Sequence, residues 1–486
     1  MKFIRKTRLA MVVALVSLLP AGALAQSDGA RNDWKKQAKE AIASRDWLAA
    51  RSALNEVLKD TPGDPKAHYD LSVAMAQLGE SSDAAQQLVL AVRDGFIDFH
   101  QLERDSRLRP IRSAPQYRAI ISGWRELLDA RADVNEKALR SLFGGAYHYQ
   151  RDPTLRLIFA SAFNEQSFAV AEQEIDAVAS WAFANLFDPP AADDPKPDAW
   201  VTVLLPTPEH FLKYMLALGA GPNVGGLYDN DRSQLICQDI GPSLRHEFLH
   251  VLQWRQMTRL GQRPPDWIME GLGALVEDMD ADAEAPGGYR PVANWRTNIA
   301  KRLLKLGRLM PLDDLMKMDR KVFRGRRPNA KYAQARAFML FLSEQNKLSD
   351  FVSMYQSHFA QDATGRSAVE GAMGESLVEI QSSYRSWLDE LPMVPEKIKP
   401  GMASLGVVVA AGRGDGPVID HLVPGAPASR SGLRRGDVIL SVDGRSTRTL
   451  PELVRVLSGY DAGRVVRVDV RRGRRVRTIE VELTER

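Results

Sequence analysis

The sequence predicts a multidomain chain in three parts: α-helical repeats, then an α+β domain, then a small β-rich domain. Between Arg31 and Arg93 residues recur at an offset of 34, with Ala50 returning as Ala84, Leu54 as Leu88 and Val57-Leu58 as Ala91-Val92. A period of that length marks helix-turn-helix units that bury their faces on one another. The middle of the chain mixes strand-like runs with helical periodicity, and after prolines 392, 395 and 400 short apolar runs alternate as strands. At 486 residues the chain is also too long for one ordinary core.

The first 25 residues stand apart. Lys2, Arg5, Lys6 and Arg8 precede the apolar run LAMVVALVSLL, a break at Pro20 to Gly22 and the small-residue site Ala23-Leu24-Ala25. This pattern predicts a cleaved secretory signal over 1–25, a mature chain beginning at Gln26, and a periplasmic or secreted product with no membrane span after cleavage. The run of 11 residues is short for a span, and an uncleaved anchor is the alternative. N-terminal sequencing of the exported protein is expected to start at Gln26; retention of Met1 on a membrane-bound product would overturn the reading. The signal carries four basic and no acidic residues, so the net charge of +4 minus 4 leaves the mature chain near zero, which argues against a nucleic-acid partner despite a pI near 9.0. Cys237 is the only cysteine, so no internal disulfide forms, and a buried thiol is expected there rather than a nucleophile.

Residues 26–128 form the helical-repeat part and resemble tetratricopeptide repeats, with Trp34 and Pro62 at the matching places of the first unit. The second unit lacks both, and GFIDFHQLERDSRLRPIRSAPQYRAI resembles the end of such an array. Two units either pack against the next domain or grip a partner.

Residues 129–392 form the α+β part. TLRLIFA and WVTVLLP read as strands, SFAVAEQEIDAVASWAFANLF as an amphipathic helix and GGLYDNDRSQLICQDIG as a strand pair. Gly241-Pro242-Ser243 then supplies a turn and a cap for a helix carrying HEFLH. On a helix, positions i and i+4 lie on one face, so His246 and His250 can present two imidazoles to one ion while Glu247 stands beside it. A catalytic zinc takes three protein ligands and keeps a position for water. A third histidine at the metzincin spacing is absent, because Gln253 and Gln256 occupy those places. A glutamate from a following helix is the other option, and PPDWIMEGLGALVED offers Glu270.

Here the chain resembles the gluzincin zinc metallopeptidases, and specifically the peptidase-MA-like group, in which W-x-x-E-G follows H-E-x-x-H. The resemblance runs from the strand before the motif to KYAQARAFMLFL and implies a zincin-like domain with Zn2+ on His246, His250 and Glu270, and Glu247 as general base. VGGLY, Val224 to Tyr228, resembles the edge strand that lies along an extended peptide or protein substrate, which makes Gly225, Gly226, Leu227 and Tyr228 candidate substrate-binding residues. Thermolysin-like members carry an aspartate four residues after the glutamate ligand; Ala274 stands here, so the outer hydrogen bonds are expected from Glu277 or a backbone carbonyl. Tyr332 loosely resembles a tyrosine that donates to the oxyanion; the alternative is a ring packed with Phe338 and Leu342.

After a linker at 393–402, residues 403–486 carry SLGV and VPGAPASRSGLRRGDVILSVDG, which resemble a bacterial PDZ domain of exported proteases. That resemblance implies that C-terminal peptides pair with the strand after a carboxylate-binding loop, Leu405, Gly406 and Val407. Leu453 and Leu457 either line the side-chain pocket or belong to the core. Fifteen arginines against ten acids follow Gly401, five of them in the hairpin RRGRRVR, which is expected to be solvated. The combined expectation is an exported zinc peptidase that cuts peptide bonds; the alternative is a non-catalytic periplasmic peptide-binding scaffold with a structural or vestigial zinc site.

Overall fold

A computed structural model describes residues 28–191, 193–217, 225–410, 416–473 and 475–486, so the expected signal segment and Val224 lie outside the described residues. The chain forms two compact units.

The first unit opens with two helical hairpins, α1 (Asp28–Ser44) with α2 (Trp47–Asp60) and α3 (Pro65–Gln77) with α4 (Ser81–Asp94). Their starts are written locally: Asp46 accepts from the Ala49 N–H at 3.0 Å, and Asp64 accepts from Lys66 and Ala67 ahead of a helix whose first residue is Pro65. The 34-residue offset persists in space, since Ala50 and Ala84 are both fully buried and Leu54 and Leu88 are buried one turn later. α5 (Phe99–Arg104), α6 (Pro115–Ser122) and α7 (Trp124–Phe143) follow. The boundary expected between 128 and 129 falls inside α7, and the unit also takes in 151–158 and 190–200. The physical reason is visible at Trp124: its indole donates to the Pro197 carbonyl at 3.0 Å, a contact 73 residues away that no local pattern announces.

A five-stranded sheet comprises β1 (His148–Asp152), β2 (Leu157–Ser161), β3 (Val201–Leu205), β4 (Gly226–Asp229) and β5 (Gln234–Cys237), in the order β1-β2-β3-β5-β4, and β3, β4 and β5 belong wholly to the second unit. β3 and β5 are parallel, whereas β4 turns back antiparallel on β5 and forms the edge. β2 and β3 are buried along their whole length, consistent with interior strands covered on both faces. The helices α8 (Glu165–Asn185), α9 (Pro208–Ala217), α10 (Pro242–Leu260) and α11 (Asp266–Leu275) come next, then the hairpin β6 (Met279–Ala281) and β7 (Tyr289–Pro291). A helical run completes this part: α12 (Trp295–Lys305), α13 (Leu312–Met316), α14 (Arg320–Arg324), α15 (Pro328–Glu344), α16 (Leu348–His358), α17 (Arg366–Met373) and α18 (Leu377–Glu390).

α15 is the central support of α11. It is buried without interruption from Ala333 to Leu342, and its fully buried Arg336 donates to the Ala274 carbonyl at 2.8 Å and the Val292 carbonyl at 2.6 Å. The first of those bonds adds a side-chain donor at the carbonyl end of α11, where the Ala274 carbonyl also accepts from the Glu277 N–H at 3.4 Å. Burial lowers the Arg336 pKa to about 10, so it stays charged at neutral pH.

The segment expected as a linker is irregular but tied down: Asn298 of α12 donates to the Val394 carbonyl at 2.7 Å and accepts from its N–H at 2.9 Å. Beyond it stand β8 (Ala403–Ser404), β9 (Val407–Ala410), β10 (Val418–Leu422), α19 (Ala428–Ser431), β11 (Val438–Val442), β12 (Arg445–Ser446), α20 (Leu450–Leu457), β13 (Val465–Arg472), β14 (Arg475–Glu482) and β15 (Thr484–Glu485). The main path is β14-β13-β11-β10-β9, with β9 at one edge. Leu405, Leu453 and Leu457 all belong to the core of this module, on which Val407 and Val409 pack.

Among the described residues no helix is long and apolar enough to cross a membrane.

Candidate metal centre and C-terminal module

α10 begins where the sequence places it, with Gly241 at the cap position. Asp239, just after β5, accepts from the N–H groups of Gly241 and Ser243, both at 3.1 Å, while Pro242 takes the first helical position. The carboxylate two residues before the turn reaches what the Ser243 hydroxyl, already inside the helix, does not.

One turn on, the rings of His246 and His250 stand 4.7 Å apart at 89°. Glu270, from α11, meets both: its Oε2 lies 3.3 Å from His246 Nε2 and 3.5 Å from His250 Nε2. One ligand atom from each of the three residues lies within 4.8 Å of the others, so the three could hold a metal ion. Each ring is oriented from behind. Glu277 Oε1 stands 3.0 Å from His246 Nδ1, the outer partner expected from the missing aspartate, and Gln253 Oε1 stands 2.7 Å from His250 Nδ1. Gln253 was read from the sequence only as the absence of a ligand; its place at i+3 from His250 was the available signal for this role.

The charges favour a cation here. Burial works against a charged His246, yet hydrogen bonds to Glu270 and Glu277 outweigh it and lift the imidazole to about 10. Burial would raise Glu277, but the Arg296 charge and the His246 hydrogen bond pull it down to about 2. Glu270 lies well below the usual carboxylate range, since the attraction of both histidines overcomes its burial. The pattern describes a pocket in which positive charge among these side chains is stabilised from several sides.

Three further neighbours escaped sequence reading. Arg324 of α14 pairs with Glu270 Oε1 and with Asp266 at 2.9 Å, holding the carboxylate by its outer oxygen. Gly273 faces the two rings: a Cβ built there would stand 3.0 Å from His246 Cε1 and Nε2 and 3.1 Å from His250 Cε1. Arg245 is buried immediately before His246.

Glu247 is half-buried beside the three converging side chains and outside their cluster. β4 runs across it, because a Cβ on Gly226 would stand 2.8 Å from Glu247 Cγ and 3.0 Å from Cys237 Sγ. A glycine is therefore required for the edge strand to approach this close. Gly225 approaches the helix start in the same way, Leu227 pairs with Ile236, and the Tyr228 ring meets Trp254 of α10 edge-on at 6.1 Å. Cys237 is fully buried and its pKa is pushed well above the ordinary thiol value, chiefly by burial, which suits a packed thiol and not a nucleophile.

The Tyr332 ring lies 5.4 Å from Phe323 and 5.8 Å from the Arg296 guanidinium. Burial and the adjacent Glu270 raise its phenol pKa, so it keeps its proton.

In the C-terminal module Gly406 has φ of 68° and its N–H donates to Ser404 Oγ at 3.1 Å, while the Leu405 side chain is buried in the core. The candidate loop thus leads directly into the edge strand β9. Residues 418–472 match the family model of the PDZ domain. This module is a PDZ domain. A stretch of 82 residues is 38% identical to the magnetosome formation protease MamE of Paramagnetospirillum magneticum, covering 17% of this chain and 11% of that protein. Another of 71 residues is 34% identical to HhoA of Synechocystis sp., covering 15% of this chain and 18% of HhoA. The chain thus spans only 11% to 18% of the length of these curated relatives. A solved aminopeptidase N family protein from Idiomarina loihiensis aligns over 68% of this chain and 65% of its own, at 14% identity and a TM-score of 0.26.

Proposed function

We propose that the chain is an exported, periplasmic or secreted zinc-dependent peptidase of gluzincin type, with tetratricopeptide-like repeats ahead of the catalytic domain and a PDZ domain that binds peptide C-termini. The observation that carries this reading is the convergence of His246, His250 and Glu270 within 4.8 Å, with Glu247 next to them under an edge strand. The donor set fits zinc, since two imidazole nitrogens and a carboxylate oxygen face one point and each imidazole has an acceptor behind its other nitrogen. When bound, the ion would supply Lewis acidity toward a carbonyl and acidify a water molecule.

The chain's own residues would do the rest. An extended peptide adds to the open side of β4 at Gly225, Gly226, Leu227 and Tyr228 and so lies across Glu247. The Glu247 carboxylate takes the proton from the attacking water and passes it to the leaving amine. With the proton on Nε2 displaced by the ion, Glu277 and Gln253 would accept from Nδ1–H and so leave Nε2 of each imidazole as the lone-pair donor. The test is the zinc content and peptide cleavage of the purified chain beside His250→Ala. About one zinc per chain and cleavage, both lost in the variant, are expected; cleavage that survives loss of the metal would overturn the reading.

Tyr332, which keeps its proton beside Glu270, would donate to a carbonyl oxygen as it gains charge. Tyr332→Phe is expected to lower turnover about 10²- to 10³-fold with zinc content and KM little changed. Turnover within a fewfold of wild type would return Tyr332 to a packing role.

The PDZ is expected to bind peptides with a free C-terminal carboxylate along β9, with Leu405 and Gly406, from the candidate loop, at its mouth and Val407, expected in that loop, opening the strand instead. Amidation removes the charge the loop amides would hold, so titration of the full chain should show binding lost on amidation. Equal affinity for the two forms would rule out this mode.

A further inference from the structure

Beside the metal centre lies a buried ion cluster to which the peptidase reading gives no task. Arg245 precedes His246 on α10 and is 4% exposed. Its Nη1 pairs with Glu174 Oε2 of α8 at 2.5 Å, and its Nη2 pairs with Glu452 Oε1 of α20, in the PDZ domain, also at 2.5 Å. The same guanidinium grips the backbone of the residue behind the first imidazole: Arg245 Nε donates to the Glu277 carbonyl at 3.1 Å, and Nη2 donates to it as well. Glu277 then turns its carboxylate to His246 Nδ1 at 3.0 Å, with Arg296 holding the other oxygen at 2.7 Å.

Glu452 is 2% exposed and is an unusual side chain to bury. It carries two loads. It closes a capping box at the start of α20, where its carboxylate accepts from the Thr449 N–H at 3.0 Å, and its other oxygen leaves the PDZ domain to meet Arg245. Capping alone needs no charge and no partner outside the helix, because glutamine serves in that box as well as glutamate. Desolvating this pair is costly, and an uncharged residue would fill the space without that cost. Arg455 and Arg445 meet Asp280 of β6 at 2.7 Å and 3.3 Å, so the PDZ domain is also docked by contacts that do not involve Arg245.

We propose that Glu452 is a positioning residue for the metal centre, acting through Arg245 and the Glu277 backbone on His246, so that the PDZ domain completes the outer shell of the site. The inference rests on the zinc reading above. A corollary is that peptide binding at β9 and metal binding at His246 are linked: α20 and β9 share one core, and whatever shifts α20 shifts Glu452.

The test is the zinc affinity of the full-length protein, measured by competition with a chromophoric chelator, for wild type, Glu452→Gln and Asp280→Asn, with thermal melting of each metal-free protein alongside. Glutamine keeps the cap and the shape and removes the charge that holds Arg245. Glu452→Gln is expected to weaken zinc about tenfold, at the lower end of what loss of an outer-shell partner costs, while Asp280→Asn, which loosens docking alone, stays within about twofold. Equal affinity of Glu452→Gln and wild type would overturn the inference and leave the zinc reading standing. Equal losses in both variants would overturn it too, as generic undocking. A wild-type protein that binds no zinc would remove both readings together. Should Glu452→Gln fail to fold, Arg245→Lys keeps the buried charge and loses the two-donor grip on the Glu277 carbonyl, and the same weakening is expected of it.

Discussion

Glu247→Gln is expected to keep its zinc and lose about 10²- to 10⁴-fold in turnover, the range that a positioned general base contributes. The geometry separates the two effects. Glu247 lies outside the cluster of three that converge, so its amide analogue removes no ligand. Its Cγ is enclosed by β4 at Gly226, and glutamine, with nearly the same volume, occupies the same space without a clash. What changes is the ability to accept a proton. Substrate affinity along β4 depends on backbone pairing and is expected to stay close to wild type, so kcat falls and KM does not. The measurement is single-turnover cleavage with zinc quantified in the same samples. A glutamine variant that cleaves as fast as wild type would remove Glu247 from the chemistry and with it the proposed mechanism.

Gly273→Val is expected to abolish zinc binding in a protein that still folds. A Cβ at this position already stands 3.0 Å from His246 Cε1 and Nε2 and 3.1 Å from His250 Cε1, closer than ordinary van der Waals contact, and the two γ-methyl groups of valine extend that bulk beside the rings. The rings cannot retreat far, because Glu277 and Gln253 hold their far sides. Alanine provides the graded control. In a helix interior it is favoured over glycine by roughly 0.5–1 kcal/mol, so Gly273→Ala should melt no lower than wild type without metal. Its zinc affinity should nevertheless fall, about tenfold, through displacement of both imidazoles by a few tenths of an ångström. Wild-type affinity in Gly273→Val would show that the two rings do not bind the ion from the positions described.

The legibility of this protein followed how local each signal was. The spacing of His246 and His250 is a property of one helix, and the start of that helix is written in Gly241 and Pro242, so both could be read in order along the chain. The 34-residue offset survived because equivalent helices bury equivalent faces, and β13 of the PDZ domain because it alternates, burying Val466, Val468 and Val470. Glu270 required more, since its helix has to fold back on α10; a resemblance supplied what spacing did not.

Other features were decided by contacts between residues far apart in sequence. Trp124 takes its partner from Pro197, 73 residues on, and Asp239 reaches the N–H groups of Gly241 and Ser243 from just beyond the strand before the helix. Arg324 and Tyr332 reach Glu270 from later elements, and Glu452 reaches Arg245 across 207 residues. By itself the sequence determined which side chains were chemically able to form a centre, because helix periodicity and turn chemistry act over a few residues. Only the tertiary structure decided which of them meet, and which buried charges hold them there, because a long-range contact depends on the packing of every element between its two ends.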